Sequence, residues 1–158
     1  MRIGVSSYAF RWAVGTKDFT PPEPLTALTL LEKAAQLGAE VVQICDNIAL
    51  EDLPKSTLVA LASRAGELGI ILEVGIKGST SENLRCNLDV SRCLGSRLLR
   101  VVLTNSGSKP SIDELVGVIK SFMPELRAAD ITLAIENHFY LTPAELVQLI
   151  KAVDNPMV

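Results

Sequence analysis

The 158 residues are 48% apolar and carry a formal net charge of −3. That composition excludes a disordered chain, and it lacks the basic excess that drives nucleic-acid binding through counterion release. The length predicts a single domain over residues 1–158, long enough to bury roughly two-thirds of the surface of the unfolded chain.

Taken in chain order, short β-rich apolar runs alternate with longer segments of helical period. Ile3–Ser7 reads as a first strand, and its brief, polar start predicts no secretory leader. The turn after it offers Tyr8, Phe10 and Trp12 in place of the glycine-rich pattern of a nucleotide fold. These aromatics fit a lid or pocket wall, the cover of a barrel mouth, or a contact with a neighbouring subunit. A helix over Pro24–Leu37 leads to a strand over Val41–Cys45, with Asp46 and Asn47 as turn formers. A helix over Pro54–Leu68 and a strand over Ile70–Val74 follow. Lys77, Gly78, Ser79, Thr80 and Ser81 then enter a helix over Glu82–Leu94. N-capping is the simpler role for that stretch, and anion binding at the helix N-terminus is the alternative. A strand over Arg97–Leu103, a helix over Ile112–Ala128, a strand over Ile131–Glu136 and a helix over Pro143–Val153 complete the series.

The punctuation agrees. Gly38, Gly69 and Gly95 each follow a leucine where a helix should end. Ser111 with Glu114, and Thr142 with Pro143 and Glu145, read as capping boxes. Strict strand–helix alternation implies right-handed crossovers and a parallel sheet. A doubly wound open sheet could be complete with five strands. A (β/α)₈ TIM barrel needs eight and about 250 residues, so here it would be an incomplete barrel of about five βα units.

A parallel strand covered on both faces should be almost wholly apolar. Gln43, Glu73, Arg100 and Glu136 break that rule. Strand alternation puts Glu136 on one side with Thr132, Ala134 and His138, and Leu133 and Ile135 on the other. If that polar side faces a barrel interior, the four residues converge at the C-terminal ends of the strands, where barrel active sites lie. Arg100 serves either this cup or a buried ion pair with Glu73 or Glu136, since a buried charge needs a partner. Gln43 is read first as a core hydrogen-bonding residue. Glu136, Asn137 and His138 are three polar side chains where a strand opens into a loop, which favours a functional role. His138 is the only histidine, and local hydrogen bonding accounts for it as well as a site does. The candidate substrate-binding set is Tyr8, Trp12, Glu73, Arg100, Asn137 and His138.

These residues resemble a known family, the xylose isomerase-like TIM barrels of the sugar phosphate isomerase/epimerase group. The resemblance rests on Gly4-Val5-Ser6-Ser7-Tyr8-Ala9-Phe10 with Arg11-Trp12, on Leu37-Gly38-Ala39-Glu40-Val41-Val42-Gln43, and on Leu72-Glu73-Val74-Gly75. It continues through Leu99-Arg100-Val101-Val102 and, most specifically, Ala134-Ile135-Glu136-Asn137-His138. In such barrels a glutamate ending the fifth strand is the first ligand of a divalent metal, a position matched by Glu136. The remaining ligands come from later strands, and Asn155-Pro156-Met157-Val158 stands where the sixth strand would begin. The catalytic glutamate that some sugar epimerases place six residues further on is replaced here by Thr142.

The resemblance implies a sugar or sugar-phosphate isomerase or epimerase. A divalent metal, manganese or magnesium in preference to zinc, would stabilise an enediolate or hydride-shift transition state. This chain would hold only part of that metal site and would be inactive alone. The alternatives are a non-catalytic half-barrel interaction module and, disfavoured by the acidic balance, a DNA-repair endonuclease branch of the same superfamily. The expected partners are a small sugar-like substrate and either a second copy or a completing C-terminal segment, with no nucleic acid and no membrane. Inward apolar positions such as Val102 and Ala134 should then meet water or that partner. Three scattered cysteines, Cys45, Cys86 and Cys93, predict free thiols and a cytoplasmic protein.

Overall fold

The computed structural model describes residues 2–104 and 109–158. Five parallel strands lie side by side in chain order: β1 (Gly4–Ser6), β2 (Val41–Ile44), β3 (Ile71–Lys77), β4 (Leu98–Val102) and β5 (Thr132–Ile135). The helices are α1 (Arg11–Val14), α2 (Ala27–Gln36), α3 (Lys55–Glu67), α4 (Ser81–Leu94), α5 (Ile112–Ala129) and α6 (Pro143–Val153). This is the βα succession of a TIM barrel over five units. Each predicted strand and helix is present, with ends displaced by a few residues. Short 3₁₀ turns over Ser7–Phe10 and Leu50–Asp52, and the single-turn α1, were not predicted.

The helix ends follow from local chemistry. Gly38, Gly69 and Gly95 close α2, α3 and α4 with positive φ. Asp130 and Asp154 take the left-handed conformation after α5 and α6, a role the sequence did not flag because aspartate adopts it less readily than glycine. Both expected capping boxes form: Ser111 with Glu114 opens α5, and Thr142 with Glu145 opens α6. Thr80 caps α4 by accepting from the Asn83 N–H, the simpler of the two roles expected in the Lys77–Ser81 stretch.

The two faces of the sheet differ. Val42, Ile44, Leu72, Val74, Leu99, Val101 and Leu133 are at most 3% exposed, packed under Leu30, Leu61, Leu88, Ile119 and Leu149 of the helices. Each such side chain contributes about 1.5–3 kcal/mol of transfer free energy. On the other face Ser6, Gln43 and Glu73 align across β1 to β3, and Gly75, Arg100 and Ala134 align across β3 to β5. That face is open at its lower edge, where Ile71 is 41% exposed and Val41 and Leu98 are half-buried. The expectation for Val102 is corrected here. It is only 6% exposed, and the apolar groups that meet water lie at the N-terminal ends of the strands. Beside β5, the Leu133 N–H donates to the Met157 carbonyl at 2.8 Å, so the chain after α6 returns along that strand.

Candidate functional site

The C-terminal ends of the strands surround a cleft of about 420 Å³ lined by Ser6, Tyr8, Gln43, Asp46, Lys77, Arg100, Val102, Glu136 and His138. The residues come from all five strands or the loops that follow them, as the parity argument requires.

The β1 end of the cleft is tied to the β2 end. Ser7, fully buried, donates from its hydroxyl to the Asn47 side-chain carbonyl at 2.5 Å and accepts from the Cys45 N–H at 2.9 Å. The Asn47 amide donates back to the Ser7 carbonyl at 3.3 Å. With the turn fixed in this way, the Tyr8 hydroxyl donates to Asp46 Oδ2 at 3.1 Å. Partial burial, and then the Asp46 carboxylate, hold the Tyr8 phenol above its ordinary pKa, so it remains a proton donor through the neutral range. Asp46 is thus more than a turn former: its carboxylate stands in the cleft wall.

In the middle of the sheet Gln43 donates to Glu73 Oε2 at 3.0 Å. Gln43 reaches the cleft, whereas Glu73 lies beneath it as the partner of the amide. Arg100 forms an ion pair with Glu136 rather than with Glu73. The guanidinium has room because residue 75 is glycine. A Cβ there would lie 2.7 Å from Arg100 Nη2 and 3.0 Å from both Arg100 Nε and Cys45 Sγ. Arg100 Nε is buried and has no hydrogen-bond partner among the described residues. Glu136 prolongs the β5 ladder through its N–H to the Val101 carbonyl, which fixes the base of the carboxylate.

The remaining predicted residues are placed unequally. His138 lines the cleft, beside a Phe139 ring that is 98% exposed. Asn137 lies against a small recess with Leu141 and Leu146 and does not reach the cleft wall. Trp12 stands in α1, edge-on to Phe19 with centroids 6.1 Å apart, outside the cleft. Sequence reasoning missed Ser6 and Asp46 as wall residues and gave Lys77 no place in a cleft. Only the strand-end position of Ser6 and Lys77 could have pointed to them.

Among the described residues, no three histidine, cysteine, aspartate or glutamate side chains converge on a point that could hold a metal ion. Glu136 is one anionic donor and it already faces Arg100. A hard divalent cation takes six or more oxygen ligands, so the donors present here do not form its site. No helix among the described residues is long and apolar enough to cross a membrane.

No family model matches the chain. It is 34% identical over 156 residues to a 3-oxo-isoapionate decarboxylase of Pectobacterium atrosepticum, covering 99% of this chain and 56% of that protein. The chain therefore spans about half the length of this curated relative. Among solved structures, a D-psicose 3-epimerase in the presence of D-fructose superposes with a TM-score of 0.79 at 20% identity, over all of this chain and 62% of that one. The D-psicose 3-epimerase of Clostridium cellulolyticum H10 with D-tagatose gives 0.74 at 18% identity, over all of this chain and 62% of that one. A xylose isomerase domain protein from Planctomyces limnophilus gives 0.68 at 16%, over 98% of this chain and 60% of that one.

Proposed function

We propose that this chain, which has the fold of the xylose isomerase-like TIM barrels over five βα units, is part of an enzyme that transforms a sugar or sugar-derived keto compound through an enediolate-like anion. The observation that carries this reading is the convergence in one cleft of the Arg100–Glu136 ion pair and the Tyr8–Asp46 hydrogen bond. Removing a proton beside a carbonyl breaks a C–H bond, moves its electron pair toward the carbonyl oxygen, and leaves negative charge there. Losing carbon dioxide from a 3-oxo acid leaves the same kind of anion. One site chemistry therefore accommodates both the epimerase and the decarboxylase reactions named for the similar proteins.

In this reading Arg100 supplies positive charge to the oxygen on which the anion develops. The Tyr8 hydroxyl and the Gln43 amide hold substrate hydroxyls, and Asp46 accepts the proton. Manganese or magnesium would polarise the substrate oxygens, with Glu136 as one of its donors and the other donors supplied by further units of the barrel.

The test is binding of D-fructose and D-tagatose to the isotopically labelled protein, read by amide shifts, with deuterium uptake into the ketose in D₂O as the second readout. Shifts should centre on Tyr8, Arg100 and Glu136 and fade in Arg100→Met. Uptake should be absent for these 158 residues alone and appear when the rest of the barrel is supplied. Ketoses that perturb nothing around the cleft, or uptake unaffected by Glu136→Gln, would remove the basis of the reading.

A further inference from the structure

A second pocket, of about 400 Å³, adjoins the cleft and shares Tyr8 with it. Its charged lining residues are Arg11 and Lys17, with Thr16, Thr20 and Asn47 as polar neighbours and no carboxylate among its lining residues. The pocket wall thus carries two cations in a chain whose net charge is −3. Among the described residues neither cation takes part in a salt bridge. The Arg11 guanidinium is held 5.6 Å from the centroid of the Trp12 ring, which steadies it without neutralising it.

The wall is built rather than loose. Thr16 and Phe19 exchange backbone hydrogen bonds at 2.7 and 3.2 Å, and the Leu25 N–H donates to the Ala13 carbonyl at 2.8 Å. Gly15 turns the chain with φ 109, and a Cβ there would sit 3.2 Å from both the Phe19 carbonyl oxygen and Pro21. The floor is Asn47, whose amide is locked to Ser7.

The geometry points to this second pocket as a subsite for an anionic terminal group of the substrate, a phosphate or a carboxylate, whose other end lies in the main cleft. The inference rests on the sugar-transforming reading for what the anion belongs to, but binding of the anion can be measured by itself. Tyr8 then stands at the boundary, with its hydroxyl on Asp46 toward the cleft and its ring between the two compartments. Selectivity for charged substrates would reside in the loop between β1 and α2, separate from the groups at the reacting carbon.

The experiment is a titration of the labelled protein with inorganic phosphate and with acetate, followed by ribulose 5-phosphate and ribulose. It is run on the parent and on the Arg11→Met/Lys17→Met variant. Both substituted side chains are exposed, and a melting curve verifies that the variant folds. Phosphate should shift the amides of residues 15–20 and Asn47, and added sodium chloride should weaken it by screening. The double variant should bind ribulose 5-phosphate about tenfold more weakly, the combined effect of two exposed charge contacts, with ribulose unchanged. A stronger response to acetate than to phosphate would assign the anion as a carboxylate and keep the subsite. Phosphate shifts centred on Lys77 and Arg100, unchanged affinity in the variant, or no anion response at all would each overturn it. Phosphate binding in the second pocket together with no response to ribulose would instead retire the sugar-transforming reading and leave the anion site standing.

Discussion

The Arg100–Glu136 pair is where one residue's surroundings decide the most. The Arg100 side chain is 15% exposed and that of Glu136 is 35% exposed. Breaking a fully buried pair costs about 3–5 kcal/mol, but water at Glu136 softens the loss, so Arg100→Leu should cost about 1–3 kcal/mol. In a Glu136→Gln background the same substitution should cost less, because no uncompensated carboxylate remains. Equal melting temperatures for the parent and Arg100→Leu would mean that the pair contributes nothing. Gly75→Ala tests the same arrangement from below. Its Cβ would meet Arg100 Nη2 at 2.7 Å, so the guanidinium must move, and an overpacking loss of about 1–3 kcal/mol is expected. Thermal melts of the two variants, with the Glu136 amide shift as reporter, check both outcomes. An arginine in an apolar strand announces that a partner exists. It does not say which acid, because Glu73 and Glu136 both satisfy the parity rule, and only the Gln43–Glu73 bond removes one of them.

Helix ends carry the pH dependence that the elements share. The Ser111 backbone N–H, and then its hydroxyl, hold the Glu114 carboxyl below its ordinary range. The Thr142 hydroxyl, and then its backbone N–H, do the same for Glu145. A carboxylate whose folded pKa is depressed stabilises the fold above the pKa of the unfolded chain, and that stabilisation is lost as the pH falls through the folded value. Melting temperature should therefore drop on acidification below the usual glutamate range. A Glu114→Gln/Glu145→Gln variant keeps the capping geometry and should lie below the parent at neutral pH and converge with it in acid. A gap that stays constant with pH would exclude these two carboxylates as the source. Such local signals explain why the elements were legible in the sequence: leucine–glycine pairs mark the ends of α2, α3 and α4, and Ser/Thr-x-x-Glu starts mark α5 and α6. What was not legible depends on contacts distant in sequence. β3 runs on to Lys77 because pairing with β4 carries it past Val74, where the predicted strand stops. The Thr16–Phe19 bridge lacks any periodic pattern, and Asp46 becomes a wall residue only because Ser7 and Asn47 bring Tyr8 to it.

At the scale of the whole molecule the open face decides behaviour in solution. Gly4, Val41 and Ile71 form one row across β1 to β3, below the polar layer of Ser6, Gln43 and Glu73. Ile71 is 41% exposed and Val41 and Leu98 are half-buried, whereas the residues on the opposite face of the same strands are sealed by helices. Apolar groups so placed gain free energy from any surface that removes them from water, at about 25 cal/mol per Å². The free edges of β1 and β5 offer backbone groups to the same partner, although the Met157 carbonyl already accepts from Leu133 on the β5 side. The 158-residue chain should therefore self-associate through this face unless a further segment covers it. Sedimentation over a range of concentrations should show a dimer or larger species. Ile71→Lys places a charge on the open face without touching the helices, and it should shift the distribution toward monomer while leaving the melting temperature close to that of the parent. A parent that stays monomeric at every concentration would show that the exposed row is too small to drive association. An association unchanged by Ile71→Lys would move the contact to the strand edges, where backbone hydrogen bonds rather than apolar burial would hold the two copies together.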